Sequence, residues 1–166
     1  FYFFAIYLLA WAIAPANATT GAELTTQAKH ILWSELEQEG VDKKHHSEVM
    51  CLAENIYFEA RAESYGGKAA VGNVTRNRVE DNRYPHSYCE VVTQGPTKPS
   101  WKDPNVWYPV RHRCQFSWFC DGKGDKIPSV DRDLYNFIKM IAFKIYHGEM
   151  EDFTEGATHY HAEYVK

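Results

Sequence analysis

The residues best suited to chemistry lie in the stretch CLAENIYFEARAE, residues 51–63. If the stretch is helical, at about 100° per residue, Leu52, Ile56, Glu59 and Glu63 fall within about 60° of one another. Glu59 and Glu63 are then one turn apart along the edge of an apolar face, and Glu54 points to the other side. A carboxyl group on an apolar face loses water, which disfavours its anion and raises its pKa. A carboxylic acid kept protonated near neutral pH can act as a general acid, and a second carboxylate nearby raises its pKa further. The same spacing equally suits surface glutamates paired with Arg61 or Lys68. By itself the motif leaves both readings open.

Two other groupings carry reactive side chains. His159, His161 and Glu163 alternate, so an extended strand would place all three on one face. Unaided, H-x-H-x-E suggests a zinc site; the rival reading lines a groove with Tyr160 or His161 and packs the opposite face into the core. Asn77, in TRNRV, can orient Glu59 or bind a substrate amide, or it can serve as a cap or a satisfied core amide.

These side chains need a scaffold, and the hydrophobic periodicity supplies one. Leu24, Ala28, Ile31, Leu32 and Leu36 predict a helix from Ala22 to Gly40. Lys43-Lys44-His45-His46 reads as a solvated hinge, and Ser47 as the N-cap of a helix running to about Glu63. Gly66-Gly67 reads as its break. A second helix follows, with Ala70, Val71, Val74 and Val79 inward. Residues 94–113 hold Pro96, Pro99, Pro104 and Pro109 and read as a long irregular loop, on which Trp101, Trp107 and Tyr108 favour a binding role. Asp131 to His147 is the clearest helix, stopped by Gly148. Thr158 to Val165 alternates like a strand. The sum is a mostly helical α+β domain.

Composition narrows the function classes. The 166 residues carry 18 Lys+Arg against 22 Asp+Glu, a net charge of −4, which disfavours nucleic acid as a partner. Charged residues are 24% and hydrophobic ones 45%, the balance of a globular chain. Residues 1–14 are uncharged and lead to Ala16-Asn17-Ala18, the pattern of an export leader cleaved after Ala18 that lacks its basic start. A retained membrane anchor is the alternative. Cys51, Cys89, Cys114 and Cys120 make an even set, which in an exported chain implies two disulfides. Of the three pairings, Cys114 with Cys120 and Cys51 with Cys89 is favoured.

Five blocks then stand in order: ENIYFEARAES, AAVGNVTRNRV, RYPHSYCEVV, CQFSWFCDG and GATHYHAEYV. Together, over about residues 50–165, they resemble the SleB-type cell wall hydrolases, the family of the spore cortex-lytic enzymes. The resemblance implies a lysozyme-like, lytic-transglycosylase-like domain over 47–166, after a leader (1–18) and a helix and hinge (19–46). It implies cleavage of the glycan strand of peptidoglycan, outside the cytoplasm, with no metal or other cofactor; separately, a monomer is expected, and the membrane enters only through the N-terminal apolar segment. The glutamate opening the EARGE-like block is the family's catalytic acid, here Glu59. Two departures stand out. Ala62 replaces the usual Gly, which favours helix. The chain also stops at Lys166, where family members continue with a Pro- and Trp-containing segment, so the sequence looks clipped at both ends.

Under this resemblance Glu59 protonates the glycosidic oxygen and then, as a base, helps the muramic acid 6-hydroxyl close onto C1. Glu63 supports it, because two carboxyls one turn apart on one face cannot flank a sugar. Gln115 and Ser117 bind hydroxyls and Trp118 covers a pyranose face, pinned by a Cys114–Cys120 bridge; the bland alternative makes Phe116 and Trp118 core and Ser117 a turn residue. Asn77 holds an N-acetyl group or Glu59, and Tyr160 and His161 line the groove. The rivals are a glycan hydrolase with a second carboxylate such as Asp121, a zinc amidase or peptidase using His159 and His161, and a non-catalytic glycan-binding module.

Overall fold

Val49, Leu52, Ala53, Ile56, Tyr57 and Ala60 recur at helical spacing and are all buried, so they form the inner stripe of one central helix. This helix, α1, runs from Lys43 to Ala60. The structure is a computed structural model and describes residues 43–160. The N-terminal helix and leader expected before residue 43 lie outside the described residues.

Helix α2 (Tyr65–Glu80) packs along α1. Helix α3 (Tyr88–Val92) is one short turn capped by Ser87, whose side chain accepts from the Glu90 amide. A two-stranded antiparallel sheet follows, β1 (Thr97–Pro99) with β2 (Trp107–Pro109), in the register Lys98 opposite Tyr108. Two 3-10 turns, Ser117–Cys120 and Ser129–Asp131, lead into α4 (Arg132–Tyr146). Ile138, Ile141, Ala142 and Ile145 of α4 are fully buried against α1 and α2. The domain is therefore α+β and mostly helical, with α1 as its centre.

At Gly72 the three long helices meet. A Cβ there would lie 2.4 Å from Ile145 Cδ1 and 3.0 Å from Ile56 Cδ1. A smaller core gathers Val91, Val92 and Phe116, flanked by Val79, Tyr84 and Trp118. Disulfides join Cys51 to Cys89 and Cys114 to Cys120. The first ties α3 to α1, and the second closes the loop that contributes Phe116 to the smaller core.

Several boundaries differ from the sequence reading. Lys43 to His46 is the first turn of α1 and not a hinge. The helix ends at Ala60 and not at Glu63, because Ser64 must be extended (ψ 172°) to cap α2, its side chain accepting from Gly67 N. Gly66 and Gly67 therefore lie in the first turn of α2. Gly67 belongs there because a Cβ would come within 2.8 Å of Glu63 Cβ, where the chain doubles back. The sheet sits inside the 94–113 segment read as an irregular loop. Thr158 to Tyr160 forms no strand, and the remainder of that expected strand lies outside the described residues.

Candidate active site

Glu59 is the last side chain but one of α1 and lies one turn beyond the buried Asn55. It sits at the edge of the core stripe, half-buried. Burial pushes its carboxyl pKa up; a hydrogen bond from Tyr160 and the charge of Arg78 pull part of the way back. The Tyr160 hydroxyl donates to Glu59 Oε2 at 2.9 Å. Burial and the neighbouring carboxylate hold that phenol well above its usual pKa, so it remains a donor across the working range.

Arg78 of α2 supplies the positive charge. It is 5% exposed. Its Nε donates to the Thr158 carbonyl at 2.7 Å, and its guanidinium lies 4.9 Å from the centre of the Phe116 ring and 5.5 Å from that of Tyr84. Its Nη1 is buried with no hydrogen-bond partner among the described residues. Aromatic faces suit a weakly hydrated guanidinium and keep its charge unscreened.

The segment 150–160, which brings Tyr160 to Glu59, is fastened to α2. Asn73 donates to the Glu151 carbonyl at 3.3 Å and Arg76 to the Met150 carbonyl at 3.2 Å. Asn77 Nδ2 faces three acceptors: Asp152 Oδ2 at 2.9 Å, the Ala157 carbonyl at 3.0 Å and Thr154 Oγ1 at 3.2 Å. Asp152 also accepts from the Thr154 and Gly156 amides. Burial opposes its ionisation, but the bonds from Thr154, Asn77 and Gly156 outweigh it and hold the carboxyl down to about 2. Asn77 thus bonds to this segment and not to Glu59.

Trp118 reaches the same face from the bridged loop. Its Nε1 donates to Asn55 Oδ1 at 2.9 Å, and Asn55 donates to Thr75 Oγ1 at 3.0 Å. Its ring stacks on Phe58, with centroids 4.5 Å apart. One indole face is therefore covered, leaving only the other for a ligand. Gln115 and Ser117 are exposed on this loop, and Phe116 is buried beneath Arg78.

Other expected residues stand apart. Glu63 lies past the end of α1 and is exposed, so it is not stacked one turn from Glu59; its carbonyl accepts from Lys68 Nζ. Asp121 is engaged by Lys123, whose amide donates at 2.7 Å and lowers the Asp121 pKa. His159 is exposed and contacts Thr158 Oγ1; His161 and Glu163 lie outside the described residues. Among the described residues no three His, Cys, Asp or Glu side chains gather to hold a metal ion. Glu54 is a second carboxyl raised by burial and by Asp125.

The sequence reading missed Arg78, Asn73, Arg76 and Asp152. The density of Asn and Arg on α2 in GNVTRNR was the available signal, since a helix this central has few exposed positions for them.

No helix among the described residues is long and apolar enough to cross a membrane. No curated protein and no solved structure matches the chain. The sequence profile of the Cell Wall Hydrolase family matches residues 62–166, more than half of the chain. The match covers α2, the hairpin, the bridged loop, α4 and the segment bearing Tyr160; Glu59 lies just before it. The chain belongs to the Cell Wall Hydrolase family.

Proposed function

We propose that the protein cleaves the MurNAc–GlcNAc β-1,4 bond of peptidoglycan as a lytic transglycosylase, with Glu59 as general acid and then base. Membership of the Cell Wall Hydrolase family supports a wall-lytic enzyme acting on peptidoglycan. The observation that carries the finer reading is the setting of Glu59: a half-buried carboxyl of raised pKa, oriented by Tyr160 and facing the charge of Arg78.

In this reading the protonated Glu59 gives its proton to the bridging oxygen, and the C1–O bond breaks as positive charge develops on the muramic acid ring. The resulting Glu59 anion is stabilised by the Tyr160 hydroxyl and by Arg78. It then takes the proton of the 6-hydroxyl as that oxygen bonds to C1. The carboxyl is regenerated, a 1,6-anhydro ring forms, and no water is consumed. One carboxyl suffices, which fits the displacement of Glu63 from the helix face. Both disulfides favour a compartment outside the cytoplasm, and a leader over residues 1–18 would take the chain there.

Mass spectrometry of a complete peptidoglycan digest tests the reaction type. Anhydro-muramyl ends, one water lighter than reducing ends, are expected. Reducing ends throughout would make the enzyme a hydrolase and turn attention to Asp121, which Lys123 keeps ionised. Released stem peptides with intact glycan would overturn glycan cleavage and point to an amidase or peptidase.

A further inference from the structure

The hairpin formed by β1 and β2 contributes nothing to either core cluster, yet it is held rigidly. Ser100 N donates to the Val106 carbonyl at 2.7 Å and Val110 N to the Pro96 carbonyl at 2.8 Å. Asn105 N donates to Asp103 Oδ1 at 2.9 Å, which fixes the tip. Gln115 N to Gln94 O and His112 N to Cys120 O lock its base onto the disulfide-closed loop. Pro99 and Pro109 remove strand donors and discourage pairing with another sheet edge.

On this rigid frame the large rings face water. Trp101 is 89% exposed, Trp107 59% and Tyr108 53%. Lys98, Pro99, Ser100, Trp101, Lys102 and Tyr108 line a groove of about 490 Å³. Lys102 Nζ lies 5.0 Å from the centre of the Trp101 ring, and Lys98 is the cross-strand partner of Tyr108. Trp101 therefore has an ammonium over its ring, and Tyr108 has a lysine as its cross-strand neighbour. Residues 94–113 carry Lys98, Lys102, Arg111 and Arg113 against Asp103 alone, a surplus of three positive charges in a chain whose net charge is −4.

Exposed aromatic faces bind the C–H faces of pyranoses, and paired ammonium groups bind carboxylates. A strand with neutral sugar rings and carboxylate-bearing side branches at regular intervals matches both features. We propose that this hairpin is a second binding platform for peptidoglycan, separate from Glu59, which seats a sugar on Trp101 and Tyr108 and stem-peptide carboxylates on Lys98 and Lys102. The proposal rests on the reading of peptidoglycan as the substrate, but not on the role of Glu59. The hairpin is joined by main-chain bonds to the loop bearing Phe116 and Trp118, so a strand held on it is held at a fixed offset from that loop.

The test is co-sedimentation of the full chain, carrying Glu59→Gln to stop cleavage, with insoluble peptidoglycan stripped of teichoic acid. Trp101→Ala with Tyr108→Ala, and separately Lys98→Glu with Lys102→Glu, should each weaken binding at least about tenfold. All four side chains project from the surface, so melting temperatures should stay unchanged. Val130→Ser, at an exposed apolar position elsewhere, should bind like the parent. Parent binding should weaken between about 0.05 and 0.3 M salt, and the lysine variant should lose most of that dependence. Glycan strands freed of stem peptides should bind the parent no better than the lysine variant. Parent-like binding by either double variant, or equal binding of the parent to strands with and without stem peptides, would overturn the proposal while leaving the substrate assignment intact. A parent that fails to bind peptidoglycan, together with a native chain that fails to cleave it, would overturn both. Binding only to wall material that retains teichoic acid would assign the platform to phosphate polymers and overturn it as stated.

Discussion

Asn77→Ala tests whether the segment carrying Tyr160 is held in place by α2. The side chain is 8% exposed and its one amide group faces Asp152, Thr154 and Ala157. An amide nitrogen has two hydrogens, so it makes the equivalent of two full bonds, one of them to a carboxylate. Such bonds contribute about 1.5 and about 0.5–1 kcal/mol, so truncation should destabilise by about 2 kcal/mol. For a domain of this size the melting temperature should fall by roughly 5–8 °C. Hydrogen exchange should quicken at the amides of Thr154, Gly156 and Ala157, and peptidoglycan cleavage should drop as Tyr160 loses its anchor. Asp152 supplies an independent check. Its carboxyl is depressed from 3.8 to about 2. A depressed carboxylate stabilises the fold above its unfolded pKa, and that stability is lost as pH falls from about 4 to about 2. The shift corresponds to about 2.5 kcal/mol at face value and to about 1 kcal/mol after solvent screening. Asn77→Asp reverses the sign. Two facing carboxylates raise one pKa, so this variant should be worse than Asn77→Ala at pH 7 and should recover below about pH 5. A loss under about 0.5 kcal/mol in Asn77→Ala, with no acid recovery in Asn77→Asp, would refute the clamp.

Three further predictions follow from the geometry. Tyr160→Phe removes the donor that favours the Glu59 anion, so the alkaline limb of the pH–rate profile should move to higher pH; a shift to lower pH would contradict the assignment. Removing the Cys51–Cys89 bridge, which spans 38 residues, should destabilise by about 4 kcal/mol, and removing Cys114–Cys120, which spans 6, by about 2 kcal/mol, measured by denaturant unfolding. Gly72→Ala forces a methyl against Ile145 and Ile56, so despite the better helix propensity of alanine it should lose about 1–2 kcal/mol, read from the denaturant midpoint.

Helix α4 was legible almost to the residue because its apolar stripe is continuous and Gly148, at positive φ, ends it. Glu59 was legible as a carboxyl at the edge of an apolar face. Its partners were not, because Arg78 and Tyr160 reach it from distant parts of the chain. The polar face of α2 binds carbonyls some 74 to 80 residues away, and local periodicity reads such a face as solvent-exposed. Glu63 is misplaced by any reading in which Gly66-Gly67 breaks the helix. The cap at Ser64 in fact ends α1 sooner, and the glycines serve the tight re-entry into α2. The hairpin was hidden by four prolines that argue against strand, although its exposed aromatics were already notable.

The central claim is that Glu59 transfers the proton, and Glu59→Gln tests it most directly. Glutamine keeps the shape and can still accept from Tyr160, but it has no proton to give. Native chain and variant, matched in melting temperature, should be compared on purified peptidoglycan by the rate of release of soluble fragments. The account predicts a fall of about 10²–10⁴-fold, with anhydro-muramyl products from the native chain alone. Undiminished release by the variant would contradict it.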